Sequence, residues 1–93
     1  MTTSEPKPGE KAVGVHFTAE TLIVDLADGR TVSVPLAWYP RLENATPAQR
    51  RNWQLSGAGY GIHWPDVDED LSVHGLLAGS PAPGGRVLLR SVG

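Results

Sequence analysis

The chain has 93 residues, 40% of them hydrophobic and 19% charged, with a net charge of −2. That is one globular domain with a single core and little room for an enclosed substrate chamber. The absence of cysteine excludes disulfides, thiol catalysis and cysteine-ligated zinc. No apolar run approaches the ~20 residues of a bilayer span.

Residues 1–10 are polar and hold two prolines, which predicts a flexible N-terminal tail. The opening MTTSEPKPGEK lacks the basic-then-apolar order of an export signal, so the expected location is the cytoplasm. Three alternating runs follow: Val13, Val15 and Phe17; Leu22, Val24 and Leu26; Val32 and Val34. A two-residue turn at Asp28-Gly29 would set apolar residues of the second run against Thr31 and Ser33. A three-residue loop, Ala27-Asp28-Gly29, instead sets Val24 against Val32 and Leu22 against Val34. Gly29 stands where such a loop needs a left-handed residue, and a one-residue slip would turn every side chain over, so the longer loop is predicted. Pairing Phe17 with Leu22 and Val15 with Val24 keeps one apolar face in the first hairpin. Ala19-Glu20 is poor chemistry for a primed two-residue turn, which favours a four-residue loop over 18–21. The result is a three-stranded antiparallel meander with one buried face.

Two short helices come next. Trp38, Leu42 and Ala45 fall at i, i+4 and i+7, with Pro40 tolerable in the first turn. Thr46-Pro47-Ala48-Gln49 supplies a Thr cap, Pro at the first position and Gln three residues after the cap. Residues 56–65 read as a glycine-rich strand with Tyr60, Ile62 and Trp64 on one face and Gly59, Gly61 and His63 on the other. Val73, Leu76 and Leu77 mark a short C-terminal helix, capped by Asp70 or Ser72 and stopped by Gly79 and Pro81. The predicted class is α+β in two layers, with helices covering one sheet face. Residues 11–79 form its single domain, and residues 80–93 a Pro/Gly-rich linker and short C-terminal segment.

Asp66, Asp68, Glu69 and Asp70 form an acidic run whose first, third and fifth positions match a calcium loop. The match then fails, with Leu71 in place of the loop glycine and Leu77 in place of the closing glutamate. The plainer expectation is carboxylates gathered before a helix N-terminus, with an acidic patch facing a partner as the second choice. Gly57, Gly59 and Gly61 lack the lysine of a phosphate loop. His16, His63 and His74 show no ligand spacing, and no nucleophile elbow or paired carboxylates accompany them. No cofactor, metal site or catalytic residue is therefore predicted. Trp38 and Trp64 are expected in the core, leaving Tyr39, Arg41, Arg50, Arg51 and Trp53 as exposed partner-binding candidates, since interfaces favour Trp, Tyr and Arg anchors.

The segments DLADGR (25–30), VPLAWYPRL (34–42), GYGIHWP (59–65), DEDLSV (68–73) and GLLAG (75–79) resemble the family catalogued as "domain of unknown function 2442". The resemblance implies a small bacterial or phage protein with a three-stranded sheet, helices and a further strand. It also implies a neighbouring second small protein, in an arrangement similar to a toxin–antitoxin pair. Some relatives carry a C-terminal helix-turn-helix; the residues after Gly79 are too few for one. The family offers no catalytic residues to carry over. The expectation is a non-enzymatic protein-binding module, antitoxin-like, docking a companion small protein or itself. The alternative is a nucleic-acid-binding accessory using Tyr39, Arg41, Arg50 and Arg51, which the negative net charge disfavours. A third is a small enzyme or metal binder using His63 and Asp66.

Overall fold

The alternating runs form the predicted meander. In the computed structural model, which describes residues 7–82, 84 and 85, β1 (Ala12–Phe17), β2 (Thr21–Leu26) and β3 (Thr31–Pro35) lie in sheet order β1-β2-β3. Val15 pairs with Val24 and Phe17 with Leu22; Leu22 also pairs with Val34 and Val24 with Val32. The β2–β3 loop is Ala27-Asp28-Gly29, with Gly29 at φ +94 and Leu26 N–H bonded to the Arg30 carbonyl at 2.8 Å. Asp28 accepts from the Arg30 amide and guanidinium, which holds its carboxyl below the usual range and raises the arginine. The β1–β2 connection is shorter than expected: β2 starts at Thr21, and the Thr18 amide donates to the Thr21 carbonyl at 2.9 Å.

Val13 departs from the expectation. The β1–β2 register shifts between Ala12 and Gly14, so Ala12 turns inward and Val13 stands 59% exposed. A β-bulge adds one residue to one strand and so breaks the two-residue period that the sequence pattern assumes.

Residues 36–38 make a 3₁₀ turn, followed by α1 (Pro40–Glu43) and α2 (Pro47–Arg51). Trp38 therefore lies outside α1, because Tyr39 precedes a proline and sits at φ −131, ψ 85, outside the helical region. The Thr46 capping box is present in both directions. The glycine-rich segment is strand only from Gly61: β5 (Gly61–Trp64) follows a 3₁₀ turn at Gly57–Gly59. It is the middle strand of a second antiparallel sheet, flanked by β4 (Gln54–Ser56) and β6 (Glu69–Ser72), neither of which the sequence pattern announces. α3 (Val73–Ala78) is capped by the Ser72 hydroxyl and ends at Gly79 with φ +76.

One apolar cluster takes residues from both sheets and from the helices: Leu22, Val24 and Val34, Leu42, Ile62 and Trp64, Val73 and Leu76. Trp64 is fully buried, with its ring edge-on to Phe17 at 6.3 Å. Trp38 packs partly buried against the same cluster. Of the stretch expected as a tail, Pro8–Glu10 forms a 3₁₀ turn whose Gly9 carbonyl accepts from the Asp28 amide; residues 1–6 lie outside the described residues. In the C-terminal segment, the Ala82 amide donates to the Trp38 carbonyl at 3.1 Å; residues 86–93 also lie outside the described residues.

Candidate functional site

The partner-binding candidates separate into two places. Tyr39 is not exposed: only 1% of it reaches solvent, and its hydroxyl donates to the Ser80 carbonyl. Burial, reinforced by the charge of Glu69, pushes its pKa up to about 12. The cause of the misplacement is again Pro40, which starts the helix at itself rather than at Trp38 and leaves Tyr39 outside the helical region and turned inward. Because the folded phenol holds its proton above the ordinary value near 10, Tyr39 contributes stability that is complete below pH 10. That contribution is lost as pH rises from about 10 through about 12. Thermal melts across this window should show a falling melting temperature that Tyr39→Phe makes shallower.

Arg50 is a structural residue. The capped start of α2 aims its side chain back at the end of α1, where it donates to the Leu42 carbonyl at 2.9 Å and the Glu43 carbonyl at 2.7 Å. Terminal helix carbonyls need such donors, and a cation suits that end of the helix dipole. Its guanidinium also lies 5.9 Å from the centre of the Phe17 ring, and its own carbonyl accepts from the Trp64 indole at 3.0 Å. Arg41 is exposed and donates to the Asp68 carbonyl. The Arg51 side chain, exposed on α2, makes no hydrogen bond or ion pair among the described residues.

Arg51 belongs to a groove of about 400 Å³ between β1 and α2, lined by Val15, His16, Phe17 and Thr18 on one side and Pro47, Arg50, Arg51 and Trp53 on the other. The Trp53 side chain is half-buried against the core. β1 is an edge strand, paired among the described residues with β2 alone. Because Thr18 and Thr21 are a hydrogen-bonded pair, the alternation of an antiparallel ladder points the amides and carbonyls of Phe17 and Val15 away from β2, toward the open edge. His16, on the rim, is oriented by Asp25 at 2.6 Å, whose other oxygen accepts from Thr31 at 3.2 Å. The hydroxyl thus faces the carboxylate rather than the imidazole, and the cluster orients a histidine without activating a nucleophile.

The acidic run does not gather before a helix. It spans the β5–β6 hairpin, in which Trp64 pairs with Glu69 and His63 with Asp70. Asp66 accepts from Asn52 at 3.0 Å, Asp68 turns the chain at φ +53, and Asp70 meets His63 Nδ1 at 2.8 Å. Strand alternation sends Glu69 inward, 9% exposed, while Asp66, Asp68 and Asp70 stay outside. Among the described residues no group of three His, Asp or Glu side chains is placed to hold a metal ion. The exposed acidic patch is therefore Asp66, Asp68 and Asp70 without Glu69.

Comparison with known proteins fits this architecture. The family model for "Protein of unknown function (DUF2442)" matches residues 12–82. The chain belongs to this family. The DUF2442 match takes in both sheets and all three helices. A crystal structure of a protein of unknown function from Rhodospirillum rubrum superposes with a TM-score of 0.68 at 35% identity, covering 77% of this DUF2442 chain and 89% of that one. The solution structure of an uncharacterized protein from Chromobacterium violaceum gives a TM-score of 0.67 at 26% identity, covering 77% and 68% respectively. No curated protein matches the chain. No helix among the described residues is long and apolar enough to cross a membrane.

Proposed function

We propose that this DUF2442 protein is a non-enzymatic, cytoplasmic binding module that pairs with a companion small protein, antitoxin-like in its role, by accepting an extended acidic segment along the open edge of β1. The observation that carries the proposal is the groove beside that edge. It combines outward-pointing backbone groups of Val15 and Phe17, an aromatic wall from Trp53 and the cation of Arg51. An added strand gains main-chain hydrogen bonds, and neighbouring side chains supply the selectivity. Arg51, with His16 on the rim, favours a carboxylate-bearing segment.

The nucleic-acid alternative draws less support. Of the three arginines it needs, Arg50 is engaged by two carbonyls and Arg41 by one, which leaves Arg51 to carry phosphate contact. The experiment is co-purification with the product of the adjoining gene. Arg51→Glu and Trp53→Ala should each weaken capture at least tenfold while thermal melts show the fold retained. Undiminished capture by both folded variants would refute the groove.

A further inference from the structure

Glu69 is nine-tenths buried, yet its carboxylate has one hydrogen bond among the described residues, from the Asp70 amide to Oε1 at 3.1 Å. No cation among the described residues stands within ion-pair distance of it. The second Glu69 oxygen carries no hydrogen bond yet still reaches solvent, since the one fully buried side-chain polar atom without a partner among the described residues is the Trp38 indole nitrogen. A carboxylate largely withdrawn from water and without a counter-charge gains from a cation brought to that oxygen. Two small cavities of about 240 Å³ each meet at Glu69 and Ala82; Arg41 also lines the second, but its guanidinium donates to the Asp68 carbonyl and makes no ion pair with Glu69. The larger lining set adds Leu71 and Leu76 as apolar walls, and Tyr39 and Ser80 beside them.

We infer that this pocket receives one lysine side chain of a protein partner, its methylene stem on Leu71 and Leu76 and its ammonium on the free oxygen of Glu69. The volume suits a single side chain rather than a drug-sized ligand. A carboxylate beside the apolar walls of Leu71 and Leu76 selects a cation with an apolar stem, which is the build of lysine. Lysine is preferred to arginine because one Glu69 oxygen already accepts from the Asp70 amide, so a guanidinium fork would have to share that oxygen, whereas an ammonium uses the unbonded one alone. An ammonium needs one carboxylate oxygen, and the Ser80 carbonyl and Tyr39 hydroxyl flank it as further acceptors. The inference rests on the protein-binding proposal only for the source of the side chain; the pocket itself is tested without any partner.

The test is a titration of the isotopically labelled full chain with n-butylammonium chloride, followed by NMR. Saturable shifts of the Glu69 carboxyl carbon and of the Leu71 and Leu76 amides are expected, with millimolar affinity. Affinity should fall at least tenfold in Glu69→Gln, which keeps an acceptor for the Asp70 amide, and persist in Asp70→Asn. n-Butanol should produce no comparable shifts, and n-butylguanidinium should bind more weakly. Equal binding by Glu69→Gln or by butanol would overturn the carboxylate site, and stronger guanidinium binding would overturn the choice of lysine. Binding that appears only when Arg86 and Arg90 are both changed to glutamine would assign the pocket to this chain's own arginines and overturn the partner assignment. Loss of companion capture in the groove variants, with butylammonium binding intact, separates the two surfaces.

Discussion

Replacing Trp64 with alanine is expected to cost about 3–5 kcal/mol, the range for deleting a large buried aromatic. The ring is fully buried at the end of β5, edge-on to Phe17, and its indole N–H is held by the Arg50 carbonyl. Its loss opens a cavity where strand β5, β1 and α2 meet and strips a part-buried carbonyl of its donor. A domain of this size sits near the lower end of the usual 5–15 kcal/mol of stability, so the variant should be substantially unfolded in mild denaturant. Trp64→Phe keeps an aromatic face but not the donor and should cost about 1–3 kcal/mol. Urea titration followed by circular dichroism measures both. A Trp64→Ala midpoint close to that of the parent would contradict the central position assigned to this ring.

The second large effect separates two adjacent arginines. Arg50→Ala should destabilise the fold by about 2–3 kcal/mol, because it removes charge-assisted bonds to the Leu42 and Glu43 carbonyls and the contact with the Phe17 ring. Arg51→Ala, one residue on and exposed, should change stability by no more than about 0.5 kcal/mol. Chemical denaturation of the two variants side by side checks this, and equal costs would mean that Arg50 is as dispensable as its neighbour. The contrast matters for function: reduced partner binding in Arg50→Ala would mix folding with recognition, whereas in Arg51 it reports recognition.

The meander was legible because each hairpin offered only one register that kept an apolar face whole, and Gly29 marked the loop that register requires. Helix caps were equally readable, since Thr46, Ser72 and Gly79 act through local hydrogen bonds and local backbone geometry. Val13 escaped because a bulge is a departure from periodicity and leaves no periodic signature. Tyr39 escaped because the i, i+4 spacing of Trp38 and Leu42 outweighed the proline restriction on the residue before Pro40, which was the signal available. β6 was illegible for a stronger reason: Glu69-Asp70-Leu71-Ser72 is polar, and its strand state comes from pairing with β5 rather than from its own propensity. With β6 went Glu69, whose inward direction exists only once the strand exists. The groove of His16, Arg51 and Trp53 joins residues far apart in sequence, and only the packing of α2 against β1 assembles it.

The deciding measurement is a paired titration of the chain against the companion protein and against a random DNA duplex, each at low and physiological salt. Binding through an edge strand and an aromatic wall predicts companion binding that survives physiological salt, is lost in Arg51→Glu and Trp53→Ala, and has no counterpart on DNA. Tight DNA binding that collapses with salt and is abolished by Arg51→Glu, while the companion binds both variants as it binds the parent, would contradict it.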